Sequence, residues 1–344
     1  MNLNPVYLLI GTPALLLGWL YLYKRQRRGG RIKFNFNPGT EWATELFTIL
    51  DKTASYRPNL FLFTPLLKLL LIESKELKTK IGRYDEDFIK LSDGGQMALH
   101  FYPPRQHGKH YVNHNPDTLI VLYPGLNGDS NEGYIYDAAR EFYNDYGFNS
   151  VVVNRRGYGG APITGTRPFD WRNYDDLDEM IEYLVTPRTN PINEKGFKHI
   201  FLMGYSLGAN YVVNYLGRKK LDQINSKILG AVVVSPPWCL GETQTNLDEN
   251  KQLICSRLVK KFREKFSGHL DDPIFRRLIK ENDISVDEVM SSRTIYEFDN
   301  YFSIKYYGYD SVENYYATFK TKKWIKSVEL PTLGMSCIDD PIIK

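Results

Sequence analysis

Between residues 118 and 235 short, uninterrupted apolar runs alternate with helix-patterned segments, and no other feature of the sequence restricts its fold so tightly. The runs TLIVLY (118–123), SVVVN (150–154), HIFLMG (199–204) and ILGAVVVS (228–235) carry no polar alternation, and PTLGMSCI (331–338) supplies a last strand. Strands apolar on both sides are buried on both faces, which is the condition of a parallel sheet covered by helices. Helical segments at 132–146, 174–185 and 207–217 fit between them, so the expected class is α/β with a mainly parallel sheet. Ahead of them FIKLS, Asp93-Gly94-Gly95 and MALHFY read as a hairpin at the sheet edge, turned by Asp-Gly. From about 238 to 328 the strand signal gives way to charged amphipathic helices such as LICSRLVKKFREKF. That insertion reads as a helical cap over the strands' C-terminal ends, where open α/β sheets bind ligands.

Chemistry is concentrated at one of those ends. Gly204-Tyr205-Ser206-Leu207-Gly208 has the G-x-S-x-G pattern, with an apolar strand leading in and the helical LGANYVVNYLG leading out. Ser206 is thereby the candidate catalytic nucleophile, and a Cβ on either flanking glycine would collide with the adjoining strand or helix. Acyl transfer also needs two N–H groups aimed at the developing oxyanion. Leu207 supplies one, and Leu126, in Tyr123-Pro124-Gly125-Leu126-Asn127-Gly128 directly after a strand, supplies the other. Asp340 in Ile338-Asp339-Asp340-Pro341 is the candidate acid, with Asp339 the fallback. An acid there would hold a histidine in the tautomer the serine needs.

A histidine is the missing piece. The chain order for this elbow is Ser, acid, His, yet His100, His107, His110, His114, His199 and His269 all precede Asp340. The expectation is a C-terminally truncated domain that lacks the last strand and the helix bearing the histidine. A degenerate protein that binds without turnover is the alternative.

Residues 5–23, PVYLLIGTPALLLGWLYLY, are uncharged and long enough at ~1.5 Å per residue to cross a bilayer core of ~30 Å. Trp19, Tyr21 and Tyr23 are followed at once by Lys24, Arg25, Arg27 and Arg28, the edge of a membrane anchor. A basic flank on that side places the body in the cytosol. The expected layout is an anchor and basic flank at 1–33, a helical lead-in at 34–84, and the α/β domain at 85–344. The net charge of +4 lies largely in that flank, leaving a nearly neutral body that argues against nucleic-acid binding. Three widely spaced cysteines, with no Cys/His spacing suited to zinc, argue against a disulfide framework and a metal site.

DGGQMALHFY (93–102), YPGLNGDSNEGYI (123–135), NRRGYGGAP (154–162), MGYSLGANYVVNYLG (203–217), SPPW (235–238) and CIDDP (337–341) together resemble the YheT-like branch of the α/β-hydrolases. That branch includes membrane-anchored abhydrolase-domain lipases and plant embryogenesis-associated hydrolases. The resemblance implies an α/β-hydrolase fold and a serine carboxylesterase or lipase acting on acylglycerols, phospholipid-like or short-chain esters. It implies no cofactor, with Ser206 and Asp340 in the triad. It also implies a type II membrane orientation, opposite to the one read from the basic flank. Its H-x4-D acyltransferase motif is not found here, although acyl transfer to an acceptor other than water shares the same serine. A non-catalytic, membrane-anchored lipid-binding protein on this fold is the reading from another class. The arginines of NRRGYGG, Arg155 and Arg156, are expected to brace loops rather than bind substrate.

Overall fold

The apolar runs form one seven-stranded sheet in the order β1-β2-β4-β3-β5-β6-β7. The structure, a computed structural model, describes residues 20–21, 24, 32–35, 39–54, 84–104, 115–165, 167, 174–187, 196–337, 340 and 342–343. The chain divides into two units, Met1–Lys78 and Thr79–Lys344. In the first, helix α1 (Glu41–Thr53) begins with an acid and carries Lys52 in its last turn, matching the helix dipole. Phe47 meets Phe34 edge-on at 5.5 Å. Apart from Leu20 and Tyr21, the anchor segment 5–23 lies outside the described residues, as does the apolar stretch 60–72. Among the described residues no helix is long and apolar enough to cross a membrane.

The sheet belongs to the second unit. β1 (Asp85–Lys90) and β2 (Gln96–Tyr102) make the edge hairpin, and β2 lies antiparallel to β4 (Phe148–Asn154). From there the sheet is parallel through β3 (Asn115–Tyr123), β5 (His199–Tyr205), β6 (Ile228–Val234) and β7 (Thr332–Met335). Helices α2 (Gly133–Tyr146), α3 (Asp175–Val185) and α4 (Leu207–Arg218) connect them. Leu119, Val121, Ile200 and Leu202 are completely buried. Each such side chain contributes about 1.5–3 kcal/mol of transfer free energy, which is why runs without polar interruption were selected for these strands. β7 is shorter than its apolar run. Among the described residues it is an edge strand paired with β6, and its ladder ends at Met335, which is 51% exposed.

β3 connects through α2 to β4 on one side, and the chain then crosses to β5 on β3's other side. The loops after β3 and β5 therefore part at a crevice, the topological switch point of the sheet. Between β6 and β7 the chain is helical: α5 (Leu240–Asn250), α6 (Gln252–Ser267), α7 (Pro273–Glu281), α8 (Val286–Ser291), α9 (Ile295–Phe298), α10 (Ile304–Tyr307), α11 (Val312–Ala317) and α12 (Thr321–Trp324). Its own core of Phe266, Phe275, Ile279, Val289, Phe298 and Phe302 also takes in Ile163, from the loop after β4. Asn210, fully buried in α4, donates to the carbonyls of Pro237 (3.0 Å) and Phe319 (3.1 Å), tying both ends of the insertion to that helix.

One buried acid in this insertion sets a pH dependence. Burial pushes the Asp299 carboxyl up to about 6, against the hydrogen bonds it accepts from Ser303 and Tyr316. A folded pKa above the unfolded one stabilises below the unfolded value and loses that contribution as pH rises through about 6. Between pH 4 and 7 the wild type should therefore lose up to about 3 kcal/mol relative to Asp299→Asn. Urea unfolding of both proteins across that range checks it, and a constant difference between the two would contradict the assignment.

Candidate active site

Ser206 sits at the junction of β5 and α4 with φ 51° and ψ −116°, a left-handed conformation that a side chain rarely adopts. Its neighbours hold it there. The Ser206 N–H donates to Val234 O at 2.8 Å and the Asn210 N–H donates to Ser206 O at 3.0 Å. A Cβ on Gly204 would come within 2.5 Å of Gly208 O, and one on Gly208 within 2.3 Å of Tyr123 O. Both glycines are thus required by space: strand, turn and helix pass too closely for any side chain. The result is a half-buried serine at the open end of the sheet.

The register places the other candidates along the same edge. Tyr123 pairs with Gly204, Tyr205 with Val234, and Val234 with Met335, so the chain segments after β3, β5, β6 and β7 emerge together. Gly125 lies directly against the serine, since a Cβ there would be 3.3 Å from Ser206 Cβ. Leu126 follows it, and Leu207 heads α4, where the first N–H groups have no acceptor within the helix.

Two side chains and a turn fix the Gly125 peptides, the turn being closed by the Gly128 N–H donating to Gly125 O at 3.1 Å. The Gly125 N–H donates to the Tyr134 hydroxyl at 2.9 Å, and Arg155 Nη2 donates to Gly125 O at 3.1 Å. In a trans peptide the carbonyl and the following N–H point in opposite directions, so holding Gly125 O toward Arg155 also sets the direction of the Leu126 N–H. Arg155 lies over the Tyr158 ring at 4.9 Å, Lys265 of α6 lies 4.2 Å from the same ring, and the Tyr158 hydroxyl donates to Asn127 Oδ1 at 3.0 Å. The helical insertion thereby reaches Tyr158, which in turn holds Asn127 of the loop beside Ser206. Spacing in the sequence gave no sign of Tyr134 or Tyr158 in these roles.

Arg156 is structural. It donates two hydrogen bonds to Asp176 (2.7 and 2.6 Å) and two to Asp93 (3.0 and 2.7 Å), joining the hairpin turn, the loop after β4 and the start of α3. Burial opposes ionisation of Asp93, but the Arg156 hydrogen bond holds its carboxyl below the usual range.

Asp340 lies beyond the end of β7, and Asp339 lies outside the described residues. Asp340 Oδ1 accepts from the Ile342 and Ile343 N–H groups at 2.8 and 2.9 Å, so one carboxylate oxygen caps a turn. The described histidines are engaged elsewhere. His100 Nε2 faces Gly159 O at 3.1 Å and must donate, so its Nδ1 accepts from Ser130 Oγ at 2.6 Å; burial lowers its pKa and keeps it neutral. His199 is exposed at the opposite end of β5 from Ser206. His269 packs edge-on to Phe275 in the insertion. Among the described residues no group of three or more His, Cys, Asp or Glu side chains could hold a metal ion, and the Cys255 thiol donates to Asp248 Oδ1 at 2.8 Å.

A profile of the alpha/beta hydrolase fold family matches residues 118–341, the stretch that carries β3 to β7 and Ser206. The chain belongs to the α/β-hydrolase family. It is 33% identical over 266 residues to an abhydrolase domain-containing protein of Dictyostelium discoideum, covering 75% of this chain and 60% of that one. It is 27% identical to the bovine phospholipase ABHD3, covering 75% of this chain and 59% of the relative. A monoacylglycerol lipase of Saccharomyces cerevisiae is 26% identical, over 65% of this chain and 48% of its own. The matched stretch thus spans at most 60% of the length of these relatives. A nucleophile elbow sets its serine on a strained turn between strand and helix, and Ser206 has that conformation here.

Proposed function

We propose that this chain is a serine hydrolase that cleaves carboxylic esters of lipids, and that the conformation of Ser206 between two space-limited glycines is the observation that carries the reading. Ser206 Oγ bonds to the ester carbonyl carbon, the Leu126 and Leu207 N–H groups take the oxyanion, and the C–O bond to the alcohol breaks as the alcohol regains a proton. Water then adds to the acyl-serine and releases the acid. The similarity to proteins named phospholipase and monoacylglycerol lipase supports a lipid ester as substrate. In this reading residues 5–23 hold the enzyme at a bilayer, where such esters reside.

In this reading Asp340 orients the base that takes the serine proton. The other engagements of His100 and His269 favour a second reading in which the fold binds a lipid ester without turning it over. A fluorophosphonate probe separates the two. Labelling of the wild-type chain that is mapped to Ser206 and lost in Ser206→Ala supports hydrolysis; an unlabelled wild type, or labelling indifferent to the substitution, supports binding alone.

A further inference from the structure

We propose that Tyr134 is a catalytic residue of the reaction proposed above, donating its phenol proton to the oxyanion that forms when Ser206 attacks the ester. The inference rests on that reading of Ser206 and adds a third donor to the two backbone N–H groups.

Tyr134 is the second residue of α2, and its hydroxyl accepts the Gly125 N–H at 2.9 Å. A phenol that accepts a hydrogen bond still carries its own proton to give. Among the described residues the Tyr134 hydroxyl has no acceptor for that proton. The direction in which the proton can go is restricted. A Cβ built on Gly125 would lie 3.3 Å from Ser206 Cβ and 3.4 Å from the Tyr134 hydroxyl oxygen, so serine and phenol border the same carbon-sized gap. Gly125 keeps that gap open by having no side chain. The ring is held edge-on by Tyr205, the residue before the serine, at 5.1 Å between centroids. The residue as a whole is 37% exposed.

The chemistry fits a donor. Oxyanion stabilisation works through hydrogen-bond donors fixed before charge develops, and tyrosine hydroxyls serve alongside backbone amides. Two anchors fix this one: the Gly125 N–H on its oxygen and Tyr205 on its ring. Burial raises the Tyr134 pKa well beyond the neutral range, which keeps the proton in place. The same loop carries the Leu126 N–H, whose direction Arg155 sets through Gly125 O.

Tyr134→Phe is expected to slow Ser206 labelling by a fluorophosphonate by about 10²–10³-fold. Hydrolysis of a short-chain ester should lose the same factor in kcat with KM little changed. A purely structural phenol that only receives the Gly125 N–H is separated by placing 3,5-difluorotyrosine at position 134. This variant keeps size and both hydrogen bonds, but its phenol ionises far more readily. Ionisation destroys a donor and strengthens an acceptor. A rate that falls as pH rises in this variant, over a range where the wild type is flat, supports the proposal. A flat profile in the variant overturns it, as does wild-type labelling by Tyr134→Phe. Labelling that does not depend on Ser206 at all overturns the hydrolase reading and this inference with it.

Discussion

Ser206→Ala is expected to reduce kcat for a short-chain carboxylic ester by roughly 10⁴–10⁶-fold while the fold remains intact. The size follows from the way a nucleophile and its base act as a unit, since losing either one forfeits most of what both provide. Alanine meets the same unfavourable φ of 51° as serine, so the backbone at the elbow is no worse placed than before. The hydrogen bonds that hold it, from the Ser206 N–H to Val234 O and from the Asn210 N–H to Ser206 O, are made by main-chain atoms. Steady-state hydrolysis with matched circular dichroism melts gives the comparison. A decrease smaller than ten-fold would remove Ser206 from the mechanism.

Arg156→Met should lower folding stability by about 3–5 kcal/mol, because it strands two carboxylates that share one guanidinium. Asp176 is 4% exposed, and Asp93 sits in the hairpin turn against the same side chain. Methionine retains much of the aliphatic volume, so the loss reports charge pairing rather than a cavity. For a unit of this size the midpoint of thermal unfolding should fall by roughly 10 °C. Part of the contribution is pH-dependent: the depressed Asp93 pKa stabilises above the ordinary carboxylate range, and that stabilisation is lost as the pH falls through it. Adding Asp93→Asn and Asp176→Asn to the methionine variant should recover more than half of the deficit. A deficit below about 1 kcal/mol in the single variant would mean that the arginine is not the pin joining hairpin, loop and helix.

The parts of this molecule that were legible in the sequence are those whose physics is local. A strand covered on both faces has no polar position to spare, so TLIVLY and SVVVN declared themselves as parallel strands, and the sheet places them side by side. Gly204 and Gly208 were legible as steric requirements because the atoms they avoid, in Ala209 and Tyr123, belong to the same turn or the neighbouring strand. Arg156 was expected to brace loops, and it does so. The contacts that shape the serine's surroundings could not be read in this way. Tyr134 reaches Gly125 across nine residues and Arg155 reaches it across thirty, and no periodicity encodes a partner at those separations. Asp340 is expected from chain order, which is silent on how its oxygens are used; one of them holds the Ile342 and Ile343 N–H groups. The span expected at 5–23 lies almost entirely outside the described residues.

The backbone of Ser206 also bears on how this protein could be altered. A non-glycine residue held at φ 51° costs on the order of 1–3 kcal/mol, and glycine alone would relieve much of it. Any search that rewards heat resistance or expression without assaying turnover will therefore drift toward glycine at position 206. On the proposed mechanism the most robust variants recovered from such a search would not hydrolyse esters, and the serine would persist only under selection for that chemistry.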